Sequence, residues 1–411
     1  MEQDLLDRFL RYVRVDTAAV DEADDYPSSP GQLELGRMLV AELRSLGVAD
    51  AAIDDHGIVT ATVPATVPDA PAIAWVAHMD TSPEASGAGV EPIVHRDYPG
   101  GDIALPGDPS KVIRVEDSPV LGKLVGTTIV TSDGTTLLGA DDKAGVAVIM
   151  TAAARLMADP RIEHGRVRIV FTCDEEIGRG VDHLPPEKVG AVVAYTLDGG
   201  CEGCIETETF SADLAVVTVG GRNIHPGLAT GRMVNALRIA SRFVDRMPWK
   251  ERAPETTSGR QGFMHPYVLE AGVASARIKI LLRSFETDEL ARYAAELGRI
   301  ADDLAAEHPG SAIDVEVTKQ YRNLADGLAS EPRAVALAEE AMRRAGVEPI
   351  TRATRGGTDG SRLTELGLPT PNLFVGMQNF HSELEYASLD HMEKAVHVLI
   401  ELAGLWAKEK A

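Results

Sequence analysis

Apolar residues recur along the chain in two rhythms. Leu5, Leu6, Phe9, Leu10 and Val13 have helical spacing and predict an N-terminal helix with one apolar face. A Pro/Ser-rich loop from Pro27 to Pro30 leads into a second amphipathic stretch, GQLELGRMLVAELRSLG, ended by Gly47. Beyond it, PAIAWVAHMD predicts a buried strand, AGVAVIMTAAARLM a helix, and RVRIVFTCDEE and AVVAYTLDGG two more strands. This alternation predicts an α/β fold: a mixed, largely parallel sheet flanked by helices. Near residue 208 the rhythm changes. SADLAVVTVGG, GRMVNALRIASRFVDRM, GFMHPYVLEAG, VASARIKILLRSF, ETDELARYAAELGRIADDLAAEH and SAIDVEVTKQY read as β-α-β-β-α-β, the ferredoxin-like α+β order. After Tyr321 the α/β rhythm returns with EPRAVALAEEAMRRAG, LPTPNLFVG and HMEKAVHVLIELAGLWAKEK. The expected organisation is a catalytic domain in two parts, 1–207 and 322–411, interrupted by an inserted domain, 208–321.

The chemically active residues cluster where strands end. His78 and Asp80 close AIAWVAHMD two residues apart, a spacing that points both to one face of a strand. Asp141 and Asp142 precede a helix that starts near Lys143, and Asp174, Glu175 and Glu176 follow a buried strand. Asp198 stands in YTLDGG and His381 in GMQNFHSELEY, each after a further strand. Taken singly, these are also what capped strand ends, helix N-termini and solvated loops look like. Together they put two histidines and several carboxylates on one rim of one sheet, where open α/β folds place their ligands. Adjacent acids repel unless a cation sits among them. The set therefore predicts a His/carboxylate metal centre.

Charge narrows the choice of partners. The 411 residues hold 40 Lys+Arg against 63 Asp+Glu, a formal net charge of −23, which disfavours nucleic acid and anionic membrane surfaces. No run approaches the ~20 apolar residues of a membrane span. The segment MEQDLLDRFLRYVRV lacks the basic start and apolar core of a secretory leader. Three cysteines cannot build a disulfide framework, and a cytoplasmic location is expected. Cys201 and Cys204 form a single CEGC with no second pair, read as structural or incidental. TSDGTTLLG lacks the lysine of a phosphate loop.

HMDTSPE, LLGADDKAG, DEEIGRG, YTLDGG, HPG, RGGTDG and FHSELE occur in this order. The ordered set, spread over nearly the whole chain, resembles the tripeptide aminopeptidase (peptidase T) branch of the dinuclear zinc peptidases. That family also contains carboxypeptidase G and succinyl-diaminopimelate desuccinylase. The resemblance implies a metallo-aminopeptidase that hydrolyses the N-terminal residue of tripeptides with two Zn2+ per subunit, Co2+ or Mn2+ being possible substitutes. It implies His78, Asp141 and Asp198 as ligands of one ion and Asp141, Glu176 and His381 as ligands of the other. Asp141 would bridge the ions, with a cis peptide bond after it. Glu175 would be the general base for the activated water, and Asp80 would orient His78.

His225, in GGRNIHPG, reads on its own as a turn residue. The resemblance makes it an oxyanion donor to the partner subunit's site, so that the inserted domain is the dimerisation domain of a homodimer. Arg283 in KILLRSF and Arg355 in RGGTDG are candidates for gripping the peptide's carboxylate, to which a guanidinium gives two parallel hydrogen bonds. Asn235 in GRMVNAL is a further candidate. A carboxypeptidase or an N-acyl-amino-acid deacylase would use the same water chemistry, and spacing does not separate them. A non-catalytic, metal-stabilised binding module would want closed coordination and no spare base such as Glu175. A redox protein built on CEGC is the remaining alternative.

Overall fold

A computed structural model describes residues 1–410. The chain forms two compact units. One comprises Met1–Thr207, Leu324–Arg352 and the described residues from Thr358 on; the other comprises Glu208–Asn323 and Ala353–Gly357. The boundaries expected from the sequence shift accordingly. The interrupting unit runs to Asn323 and takes in Arg355, because Phe210 N–H bonds Gly356 O (3.2 Å) and Arg355 bonds Thr257 and Gln261.

The first unit is built on an eight-stranded sheet. Its order is Ala52–Ile53, Val59–Val63, Val167–Thr172, Ile73–His78, Val193–Gly199, Asn372–Phe374, Cys204–Thr209, Ile350–Thr354. The four strands from Val167–Thr172 to Asn372–Phe374 run parallel, with antiparallel strands beside them. The sheet is thus mixed and largely parallel, as the alternation predicted. Ile73, Trp75 and Ala77 pack into the core that holds the helices Glu2–Tyr12, Pro30–Ser45, Ala140–Ala158, Arg333–Arg344 and Leu389–Trp406. Ala74 and Val76 face the opposite core, with Val181, Leu184, Leu363 and Leu368. Burial on both faces is why this strand reads as a continuous apolar run. The helix Ala140–Ala158 lies so close to the sheet that a Cβ on Gly145 would stand 2.2 Å from Leu197 O.

A second, antiparallel sheet joins Met377–Gln378, Tyr386–Ser388, Ile129–Thr131 and Ile93–His95. The sequence reading assigned none of these strands, whose two or three residues are too short to establish an alternation.

The second unit is a four-stranded antiparallel sheet in the order Phe263–Ala271, Ser275–Ser284, Ser211–Gly220, Ala312–Tyr321. Helices Ala236–Arg246 and Thr287–Glu307 cover one face, where Val217, Ile278, Ile280 and Leu282 meet Phe243 and Leu297. This is the ferredoxin-like arrangement. Its first helix begins at Ala236, later than the pattern suggested, because Asn235 Oδ1 accepts Arg238 N–H (3.3 Å) and caps it. Among the described residues, no helix is long and apolar enough to cross a membrane.

Candidate metal centre

Parallel pairing brings the ligand candidates of the first unit to one rim. His78 ends its strand beside Thr172, and the register that matches Val76 with Thr196 carries His78 towards Asp198. His78 Nε2 lies 3.0 Å from Asp141 Oδ1 and 3.8 Å from Asp198 Oδ1. His381 Nε2 lies 2.9 Å from Glu176 Oε2 and 3.3 Å from Asp141 Oδ2. One ligand atom from each of His78, Asp141 and Asp198 falls within 4.8 Å of the others, and the same holds for Asp141, Glu176 and His381. Asp141 therefore belongs to both sets, one oxygen towards each histidine. The Asp141–Asp142 peptide bond is cis, as the resemblance implied.

The segments that carry these candidate ligands are held by buried polar groups. Asp80, fully buried, accepts the N–H of Glu175 on one oxygen and of Glu176 on the other, both at 3.1 Å. Its main-chain O also meets His78 Nδ1 at 3.1 Å, so Asp80 fixes the imidazole and the 175–176 turn together. Asp174 has a left-handed backbone (φ 61°), costly for a residue with a Cβ. Its carboxylate accepts Ser28 N–H (2.7 Å) and Gln32 Nε2 (2.7 Å), and its own N–H reaches Gln32 Oε1 (3.0 Å). Asp142 belongs to neither set and accepts the N–H of His78 and of Gly145, each at 3.2 Å. Asn372 Oδ1 receives Asp198 N–H at 3.0 Å. The sequence reading assigned no role to Gln32, Asn372 or Asp359. Asp359 is buried at the start of the helix Asp359–Glu365, accepts Thr172 Oγ1 (2.6 Å), and lines a narrow cleft with His78, Glu175 and Asp198. The glycines of RGGTDG and DEEIGRG were its available signal. A Cβ on Gly180 would stand 2.0 Å from Asp359 Oδ1.

The electrostatics follow from crowding carboxylates out of water. Burial pushes Glu175 well above the usual carboxylate range, helped by the charges of Asp198, Asp359 and Glu176 and opposed by His78. Burial and Asp141 do the same to Asp198, and Glu176 is pushed up to about 7. Asp141 goes the other way: burial would raise it, but hydrogen bonds from His381 and His78 hold it well below the usual range. Burial would lower both imidazoles. Their carboxylate partners prevail, raising His78 well above its ordinary value and His381 to about 11. The two rings thus supply the positive charge that the acids require. A divalent cation meets the same need with more charge, and imidazole with carboxylate is a donor set that suits zinc. Glu176 Oε1 adds a specific fit, being a carboxylate oxygen buried with no hydrogen-bond partner among the described residues. A larger open groove of about 670 Å³ by the N-terminal helices, lined by Asp7, Arg11, Arg14, Asp16 and Glu34, holds no histidine.

The other candidates lie in the second unit. His225 is exposed, and its Nδ1 accepts Gly227 N–H (3.2 Å). Arg283 bonds Tyr321 Oη and lies over its ring, 4.9 Å from the centroid. Arg355 is occupied within its own unit, donating to Thr257 O (2.8 Å), Thr257 Oγ1 (2.7 Å) and Gln261 O (3.0 Å) over the rings of Phe210 and Phe263. Asn235 is the helix cap described above. In the first unit, the side chains of Cys201 and Cys204 lie side by side across a Cα–Cα distance of 5.4 Å. Cys173 is buried, and burial pushes its thiol up, away from reactivity.

Fold and site together define an α/β protein with a candidate metal centre of imidazoles and carboxylates at one rim of its main sheet. Residues 133–404 match the model of "Peptidase family M20/M25/M40". A peptidase T of Geobacillus kaustophilus is 44% identical over 410 residues, covering 100% of both chains. The crystal structure of an aminopeptidase PepT from Bacillus cereus superposes with TM-score 0.74 at 25% identity, covering 99% of each chain. A tripeptidase from Staphylococcus aureus shares the fold, with TM-score 0.78 at 22% identity over 100% of this chain and 99% of that one. This chain belongs to peptidase family M20/M25/M40 and is a hydrolase. Within that family it stands beside the peptidase T enzymes, and the readings as a binding module or a redox protein fall away.

Proposed function

We propose that this chain is an aminopeptidase that removes the N-terminal residue of tripeptides, working with two divalent metal ions, zinc by donor chemistry. The observation that carries the reading is the division of Asp141, one oxygen towards His78 and Asp198 and the other towards Glu176 and His381, with Glu175 left outside both sets. His78, Asp141 and Asp198 would hold one ion, and Asp141, Glu176 and His381 the other. Bound there, the ions supply Lewis acidity, polarising the scissile carbonyl and lowering the pKa of water towards ~7. Glu175 takes the proton of the attacking water and delivers it to the departing amine. Burial raises its affinity for a proton, the direction that a proton acceptor in this role needs. Asp80 keeps this base beside the ligands by gripping the Glu175 and Glu176 amides.

In the same reading His225 donates from Nε2 to the oxyanion of the partner subunit's substrate, since its Nδ1 is engaged as an acceptor. The inserted unit would then form a homodimer. Arg283 is the better candidate for the peptide carboxylate, because both terminal nitrogens of Arg355 already donate to Thr257 and Gln261. The test is a substrate panel with and without chelator. Free tripeptides should be cleaved at the first bond, N-acetylated ones refused, and activity lost on chelation and restored by zinc. Cleavage at the carboxyl end, or of N-acylated amino acids, would select the carboxypeptidase or deacylase reading instead.

A further inference from the structure

Glu385 closes the FHSELE motif and has no part in either ligand set. It is 1% exposed, in the segment between His381 and the strand Tyr386–Ser388. Its Oε2 accepts Leu138 N–H (2.8 Å) and Gly139 N–H (2.7 Å), and its Oε1 accepts Asp141 N–H (2.9 Å). These three amides belong to the turn that delivers Asp141. Gly139 there is left-handed (φ 78°), and Asp141 (φ −81°, ψ 105°) and Asp142 (φ −120°, ψ 32°) are not helical. The amides therefore lie ahead of the first regular helical turn, where no carbonyl of the helix can serve them. Glu385 serves all three from 244 or more residues away in sequence.

We propose that Glu385 is the positioning residue for Asp141, and that it sets the affinity of both metal sites; this rests on Asp141 being their shared ligand. A carboxylate that accepts three main-chain N–H groups fixes the plane and height of the turn it grips. The ligand at the end of that turn must present one oxygen to each of two ions, so a small rotation of the turn weakens both. The same segment carries His381, four residues earlier, so Glu385 links the turn of Asp141 to the loop that supplies a second ligand of its set. Only a carboxylate fits. An amide offers a single acceptor oxygen, and its NH2 would face an N–H donor head on.

The test measures metal affinity of the full chain by competition with a chromophoric zinc chelator, alongside steady-state kinetics. Glu385→Gln should weaken zinc binding by about 10–100-fold, the range typical of groups that orient ligands. Its kcat should fall while KM stays within about twofold, and excess zinc should recover part of the lost kcat. Tyr12→Phe is the control for loss of a buried hydrogen bond, here to Glu42 (2.7 Å), and should leave zinc affinity unchanged whatever its melting temperature. Should Glu385→Gln fail to fold, Glu385→Asp keeps the charge but is one methylene too short to reach all three amides, and should still bind zinc more weakly than wild type. Wild-type zinc affinity in a folded Glu385→Gln, or in Glu385→Asp, overturns the assignment. A wild-type chain that binds no zinc at all fails the metal-centre reading itself, and that measurement comes first.

Discussion

At the scale of single residues, the centre is a balance between buried acids and the cations that make their burial tolerable. Without metal, the partners are protons. Burial, the Asp141 charge and the opposing His381 hydrogen bond leave Glu176 titrating at about 7, against an ordinary value of 4.5. Between those values the folded chain keeps a proton that the unfolded chain has released, so stability falls as pH rises through that window. His381, raised to about 11 by Asp141 and Glu176, acts in the same direction: its contribution is complete below 6.5 and is lost as pH climbs towards 11. Metal binding needs the opposite forms, neutral imidazole and ionised carboxylate. The gap in melting temperature between metal-loaded and metal-free protein should therefore widen from pH 5 to pH 8. An equal gap at both values would show that these groups do not hold the metal.

At the scale of elements, position comes from strands that end together and helices that approach closely. The helix Ala140–Ala158 has to lie low on the sheet for Asp141 and Asp142 to reach His78, and Gly145 permits it. Intrinsic propensity favours alanine over glycine in a helix by about 1 kcal/mol. At position 145, however, the added methyl would meet Leu197 O at 2.2 Å and Asp142 Oδ1 at 2.4 Å. Gly145→Ala should accordingly destabilise by about 1–3 kcal/mol, the usual cost of overpacking, and reduce metal occupancy as well. Thermal unfolding and metal analysis read the two effects separately, and a stabilised variant with full occupancy would refute the close-approach argument. The long elements were legible in sequence because their apolar positions repeat. The strands of two or three residues that carry Glu385 and the turn of Asp141 into place were not, since their pairing joins segments about 250 residues apart.

At the scale of the whole molecule, the interrupting unit is the part whose role is proposed. If it pairs two subunits and lends His225 across, two inactive variants should complement each other. Glu175→Gln lacks the base and His225→Ala lacks the oxyanion donor, so each homodimer is inactive. A mixed dimer holds one site with an intact Glu175 from one subunit and an intact His225 from the other. Random exchange at equal ratio puts about half the dimers in that state, with one complete site of two, so activity should return to about a quarter of wild type. Co-expression or mild unfolding is needed to mix the subunits. No recovery in verified mixed dimers would confine His225 to its own chain and end the shared-site reading.

The sequence by itself determined the class of fold, the interruption near residue 208 and the identity of the acids and imidazoles at the strand ends. Those properties are local: they depend on periodicity and on which residue follows which strand. Tertiary structure decided which groups each of these acids meets. Asp141 and Asp142 are neighbours of identical chemistry, yet one faces both histidines and the other turns to the His78 and Gly145 amides. Arg355 and Asn235, both candidates for substrate contact, brace Thr257 and Gln261 and cap a helix in the folded chain. For Asp142 and Arg355 the partners include main-chain groups brought close by folding, and neither partner can be read from the residue type alone.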